Sequence, residues 1–524
     1  MKRKKREKRY TKSRANKKYT RLWWILSIAF TLILLVLLFD PKTFRGGDNT
    51  HYFCLGQSLL KGSYRSEVFM GAPLETGVTP GYPIVLAFLS LFFGRTFIPA
   101  KFFSLFCFVG TLIIWWRIFN NRGVNKKMGF VFLGFIVINP LISEFSHWEL
   151  TEAPFMFVSS ITFLSLLYAW DSEKTKMWII TGLCAALAFY IRVAGITLVM
   201  SILFILLLHK KWKSFIIVLI TVAILLLPWL IFLLTASGQT VGGRYLPQFY
   251  SETGTGEVLS VGDFIGRLLR NSQRYAFINL PMMFLPILET SFYTNLDIGY
   301  LLGGIFIALI LIGIICTIMT IDITFSIYFI FYLLLLISFS EEAAIVRYLV
   351  VIAPILIFLF VKGTERVFLF LRLTQDKTYL IITAVLLFIL TLPVYIREAG
   401  KNAPLLNQYI KGNKYAGYPS NFVRFIEANE WIKNHDKTST GIISRKPKLT
   451  WWYSGHPARN YLFNPDPHRV KADIDTSGAH YVLIDRISST TPQFLIPALQ
   501  TAPQQFKVLF VTRRPETYVL EVMR

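Results

Sequence analysis

Two carboxylate clusters and two isolated arginines stand at the ends of apolar runs, a set of residue types suited to general-base and oxyanion chemistry. Asp48 lies in Gly46-Gly47-Asp48-Asn49-Thr50-His51-Tyr52, just past an apolar run that ends at Asp40-Pro41. The second cluster is Ser146-His147-Trp148-Glu149-Leu150-Thr151-Glu152, between two further apolar runs. Carboxylates beside a membrane are costly unless solvated or paired, so their placement is a functional hint. Facing one compartment, they could supply a base and a positioning group for transfer to a hydroxyl or amine. Arg192 at a turn between apolar runs and Arg347-Tyr348 at the mouth of another are the cationic candidates. Either arginine pairs with Glu341 or Glu342 for structure, or it clasps a phosphate through its fork of donors. A phosphate at the outer membrane surface means a lipid-linked substrate.

Structural readings stand beside these. Asp48 would serve equally as the N-cap of a helix over 50–60, whose Phe53, Leu55, Leu59 and Leu60 suit an interfacial position. Ser146 or Thr151 would likewise cap the next helix with a glutamate in its first turn.

The elements that must hold these residues are membrane helices. The 524 residues are 54% hydrophobic and only 16% charged, with a mean hydropathy of +0.51. Soluble domains carry charged residues at about a quarter of the chain, so the class is a polytopic membrane protein, mainly α. The formal charge of +25 does not indicate nucleic-acid binding, because it is concentrated in a tail: residues 1–21 hold twelve Lys or Arg against the single acid Glu7. Such a tail before a first span predicts a cytoplasmic N-terminus, an uncleaved signal anchor and contact with anionic lipid.

Spans are expected over 22–39, 97–119, 128–142, 153–170, 177–191, 193–208, 214–235, 299–319, 323–338, 346–361 and 378–396, about eleven in all. The segment 82–93 is expected to dip into the interface, and 236–296 to form a long outer loop containing Gly242-Gly243-Arg244-Tyr245. Basic stretches at 120–127, 209–213 and 362–377 mark the inner face. Parity then places Asp48, Glu149, Glu152, Glu341 and Glu342 outside, with everything after 396. The division is a basic cytoplasmic tail (1–21), a transmembrane region (22–396) and a soluble extracytoplasmic segment (397–524) in a cytoplasmic-membrane protein.

That last segment reads as a small α/β domain. Phe422, Phe425, Ile426, Trp431 and Ile432 have helical spacing, 441–444 and 481–485 read as buried strands, and 506–511 with 517–522 as a hairpin. It shows no nucleophile elbow, phosphate loop or metal motif. Trp451-Trp452-Tyr453 are either core or an acceptor platform. Of the four cysteines only Cys54 falls outside the expected spans, which gives no disulfide framework. The histidines are scattered, with His209 and His456 read as surface residues, and no metal or other cofactor is assigned.

The order Asp48…Tyr52…Gly62-Ser63-Tyr64…Thr79-Pro80-Gly81-Tyr82-Pro83, then Ser146…Thr151-Glu152, Ala188-Phe189-Tyr190-Ile191-Arg192 and Arg347-Tyr348…Pro354 resembles the membrane glycosyltransferases of the GT-C fold. The nearest branch in resemblance is that of the protein O-mannosyltransferases and the lipid A aminoarabinose transferase, over about residues 22–365. The resemblance implies an inverting transfer of sugar from a polyprenyl-phosphate donor to an extracytoplasmic lipid, protein or glycan acceptor. It also implies Asp48 as the general base, Glu152, Glu149 and His147 as positioning groups for the acceptor or a cation, and Arg347, Tyr348 and Arg192 around the donor phosphate. Two departures weaken parts of this. The family often has Ser-Arg where this chain has Ser146-His147, and no acid neighbours Asp48, which leaves a divalent metal unsupported. A transporter or flippase for lipid-linked saccharides is the alternative, although such proteins place coupling charges near the midplane, often in repeated halves. A non-enzymatic envelope-assembly protein would instead put recognition in the C-terminal segment.

Overall fold

The structure, a computed structural model, describes residues 26–122, 126–236, 240–241, 260–288, 296–318, 320–340, 345–372, 378–438 and 440–523. The basic tail, the 242–245 stretch, Glu341 and Glu342 lie outside these residues. Among the described residues, five helices are long and apolar enough to cross a membrane: Ile98–Asn121, Glu152–Ser172, Trp212–Thr235, Asp297–Thr317 and Ile382–Ile410. A sixth crossing is available from Lys127–Ile138 and Pro140–Ser146, which are bent by 69°. Local chemistry explains the bend. Pro140 lacks a backbone donor, and the Asn139 side chain accepts from the Leu141 amide at 3.1 Å while donating to the Met283 carbonyl at 2.7 Å.

Leu26–Leu37, Thr175–Ile191, Val193–Leu208 and Ile323–Ser338 are shorter apolar helices. A crossing takes about 20 residues, so length and composition alone mark five or six crossings among the described residues. Trp212–Thr235 exposes Ile220, Ile224, Leu227 and Ile231, which is the pattern of a lipid-facing helix.

Three stretches differ from their expected form. Residues 362–370 continue the helix Ala353–Phe370 instead of forming a loop. Thr378–Ile410 is one helix that runs through the composition change at 396. The expected 236–296 loop contains the helix Val261–Arg274, capped by the Ser260 hydroxyl accepting from the Asp263 amide at 3.1 Å, and the buried helix Leu280–Phe284.

Helices Leu296–Thr317 and Ala353–Phe370 cross at Gly313 and Gly363, where an added Cβ would run into the carbonyls of Leu359 and Leu309. Small residues at such crossings let backbones approach closely. Gly363→Leu is therefore expected to cost about 1–3 kcal/mol, seen as a lower thermal unfolding midpoint in detergent. An unchanged midpoint would contradict this close crossing.

After 420 the chain forms a five-stranded sheet. Its order is Ala458–Arg459, Ile442–Ile443, Tyr481–Ile484, Tyr518–Val522, Phe506–Val511, with the first three parallel and the last two joined antiparallel. Alternation along the strands sends Ile442, Tyr481 and Leu483 toward helix Ser420–His435, and Ile443 and Val482 toward helix Pro467–Thr476. Helices thus cover both faces.

This layer sits on the first loop. Trp452 stacks on Phe97 at 4.0 Å, Arg95 donates to the Trp451 and Trp452 carbonyls at 2.9 Å, and the Ala458 amide donates to the Val68 carbonyl at 2.8 Å. Trp451, only 6% exposed, and Trp452 are contact residues between segments rather than an open platform. His456, read as a surface residue, is buried beside Asp436 at 3.5 Å and held by Ser454, whose hydroxyl accepts from its amide at 3.1 Å; His209 is exposed.

Candidate active site

Gly47 places Asp48. With φ at +88° it turns the chain into helix Asp48–Leu60, and Asp48 is the first helical residue, with no side-chain cap at that end. The capping alternative therefore fails, and the carboxylate is turned to other partners. Its Oδ2 accepts from Arg347 Nη1 at 3.2 Å and its Oδ1 from Lys448 Nζ at 3.1 Å.

Glu152 is likewise the first residue of its helix, again without a side-chain cap from Thr151. Its Oε1 accepts from Arg347 Nε at 2.6 Å and from Arg192 Nη1 at 3.0 Å. Arg192 interrupts two helices in an extended conformation and also donates to the Thr151 hydroxyl at 3.1 Å. Its guanidinium lies 5.2 Å from the Tyr348 ring centre, and that of Arg347 5.2 Å from Phe44. The result is a continuous charged chain, Lys448–Asp48–Arg347–Glu152–Arg192. Four of its five members come from the residues singled out by sequence, drawn together from stretches up to 299 positions apart.

The two carboxylates differ in access. The Glu152 side chain is fully buried and the Asp48 side chain 32% exposed. Glu152 thus fixes both guanidinium groups, while Asp48 presents a carboxylate that solvent or a substrate can reach. Neither arginine is exhausted: among the described residues Nη2 of Arg347 and Nε and Nη2 of Arg192 make no hydrogen bond. Tyr52, beneath them, is held as a neutral phenol, chiefly by burial and then by Asp48. Its ring meets Tyr82 edge-on at 5.4 Å. Gly81, in the Thr79-Pro80-Gly81 motif, lies where a Cβ would come within 2.5 Å of the Tyr190 carbonyl, which ties that motif to the Arg192 turn.

Glu149 and His147 do not join the chain. Glu149 pairs with Lys101 at 3.0 Å and accepts from the Phe44 amide and the Asn49 side chain, each at 2.9 Å. His147 is buried between Phe39 and Trp148, and burial, then Lys101 and Lys42, pushes its pKa well below the usual histidine range. It is neutral at physiological pH, with no charge to offer an anion.

Sequence reasoning missed Lys448 and Lys101. Lys101 had a readable signal, a lone lysine in the first turn of a long apolar run. Among the described residues no group of three or more His, Cys, Asp or Glu could hold a metal ion.

Residues 77–232 match the family model described as dolichyl-phosphate-mannose-protein mannosyltransferase. A search of curated proteins finds no match. Among solved structures, the chain is similar to ArnT from Cupriavidus metallidurans bound to undecaprenyl phosphate, with a TM-score of 0.57 and 12% identity over 95% of this chain and 97% of that one. The apo form of the same ArnT gives a TM-score of 0.55 and 14% identity over 96% and 98%. The two structural likenesses cover nearly the whole length and the family model covers 77–232: the chain carries the GT-C fold.

Proposed function

We propose that the chain is an inverting glycosyltransferase that moves a sugar from a polyprenyl-phosphate donor to an acceptor on the extracytoplasmic face of the cytoplasmic membrane. The observation that carries this is the network in which Arg347 links the accessible Asp48 to the buried Glu152. Likeness to a fold whose solved relative binds undecaprenyl phosphate supports the donor class.

In the proposed reaction the acceptor hydroxyl or amine gives its proton to Asp48 as its heteroatom attacks the sugar C1. The new bond forms opposite the bond that breaks, so the anomeric configuration inverts. The electron pair of the broken C1–O bond leaves on the polyprenyl phosphate. Charge then grows on that phosphate, and donors fixed beforehand stabilise it without reorganising. Arg347 and Arg192 have unused N–H groups for this, and Glu152 is their orienting group rather than an acceptor contact. Tyr348, under Arg192, sets the plane of that guanidinium. Glu149 and His147 act further back, in the framework that holds the first loop. The basic tail supports the cytoplasmic N-terminus this needs, and the C-terminal sheet, packed on Phe97, shares the face of Asp48.

Arg347→Lys tests the phosphate role, since a lysine keeps the charge but loses the fork that spans Glu152 and a phosphate. Donor affinity is expected to fall roughly tenfold or more, at about 1.4 kcal/mol per tenfold. Unchanged donor affinity, measured by titrating polyprenyl-phosphate sugar into the detergent-solubilised protein, would contradict the assignment.

A further inference from the structure

In the C-terminal sheet the chain passes from Ile442–Ile443 outward to Ala458–Arg459, then returns to Tyr481–Ile484 on the other side of the first strand. The connecting helices leave on opposite faces: Leu449 of helix Pro447–Ser454 packs in one layer, and Val470 and Ile474 of helix Pro467–Thr476 in the other. That reversal is a topological switch point, and ligands of open α/β sheets bind in the crevice outside the carboxyl ends of the strands flanking one. Here the two loops leaving those ends are 444–446 and 485–490.

Their side chains are dense in donors and acceptors. Arg445 Nε donates to the Thr490 hydroxyl at 2.9 Å and the Ser488 hydroxyl at 3.3 Å, and the guanidinium lies 5.0 Å from the ring centre of Phe463. Phe463 is 45% exposed. Asp485 is fully buried; its Oδ1 accepts from the Ile487 amide at 3.0 Å and the Thr491 hydroxyl at 3.3 Å, while its Oδ2 has no hydrogen-bond partner among the described residues. Desolvation pushes this carboxyl up to about 6. Arg445 and Lys446 both act electrostatically on this buried carboxyl, which ties the two cations to the same edge of the sheet.

Arg445 and Lys446 have no carboxylate salt-bridge partner among the described residues. Lys446 is pushed below the usual lysine range, first by burial and then by Arg445, and it lies within electrostatic reach of Asp48, Arg45 and Asp485. Two residues on, Lys448 bonds Asp48. The 444–446 loop therefore adjoins the proposed base.

We propose that the edge formed by these two loops is the acceptor subsite and takes an acidic saccharide, with Arg445 and Lys446 meeting its oxyanion and Phe463 stacking beside it. Calling the occupant an acceptor rests on the transferase reading; the saccharide chemistry does not. An exposed aromatic ring beside a guanidinium and an ammonium group suits a ring with an apolar face and one negative charge.

The test uses the full chain in detergent, titrated with glucose 1-phosphate, glucuronate, glucose and inorganic phosphate, with turnover of lipid-linked sugar followed in parallel. At least one acidic sugar is expected to bind more tightly than either glucose or inorganic phosphate, and the phosphate and carboxylate arms identify which oxyanion is preferred. Lys446→Met, whose side chain makes no hydrogen bond in the described structure, should keep its unfolding midpoint and lose about tenfold in that binding. Arg445→Lys should weaken it as well. Wild-type affinity in both variants, or glucose bound as tightly as the acidic sugars, overturns the proposal. Acidic-sugar binding with no turnover of any lipid-linked donor would sink the transferase reading and leave the saccharide site standing.

Discussion

Asp48→Asn is expected to leave the protein folded and inserted while reducing sugar transfer by about 10²–10⁴-fold, the usual worth of a positioned general base. The substitution keeps the shape of the side chain and an oxygen able to accept from Arg347 or Lys448, now 3.2 Å and 3.1 Å away. What disappears is the basicity that takes the acceptor's proton. The Asp48 side chain is 32% exposed, so its neutralisation costs little in folding. Glu152 continues to hold Arg347 and Arg192, and donor binding should survive. Retention of full transfer in this variant would remove Asp48 from the chemistry.

The second large effect is structural. Lys101 is 1% exposed, 3.0 Å from Glu149, and donates to the carbonyls of Asp40 at 3.1 Å and His147 at 3.3 Å, with the Trp148 ring centre 4.6 Å away. Glu149 in turn fixes Phe44, ahead of Asp48, and Asn49, beside it in helix Asp48–Leu60. Removing the lysine leaves an uncompensated buried carboxylate, so Lys101→Met is expected to cost about 3–5 kcal/mol. Lys101→Met with Glu149→Gln should recover much of that loss, because the stranded charge is gone. Thermal unfolding of the two variants separates these outcomes. Equal destabilisation in both would mean that packing around Lys101, rather than the charge pair, holds the loop.

Charge beside apolar sequence made most of the charged network of the candidate site readable. Asp48, Glu152, Arg192 and Arg347 each interrupt or border an apolar run, where an ionised group is expensive, and the network they form is the compensation for that expense. Lys448 could not be found that way. It lies in a polar segment between Lys446 and Trp451, where a lysine costs nothing, and only the docking of Trp452 on Phe97 brings it to Asp48. The same local pattern marks Glu152 and Glu149 alike, because which carboxylate meets an arginine and which meets Lys101 is decided between helices far apart in sequence. The strands at 442–443 and 481–484 and the 506–522 hairpin were legible from short apolar runs bounded by polar turns. The switch point was not, because it depends on which side of the first strand the third one joins. Helix lengths were the weakest reading: apolarity marks the runs, but the continuation of Thr378–Ile410 past 396 depends on packing and not on composition.

The most direct measurement follows the fate of a lipid-linked sugar offered to the protein reconstituted in vesicles with envelope glycans and lipids as acceptors. Mass spectrometry of all products should show free polyprenyl phosphate appearing together with an acceptor heavier by one sugar residue, in the wild type and not in Asp48→Asn. Donor recovered intact, whether on its original leaflet or moved to the opposite one, would contradict a transferase, and movement would point to a flippase.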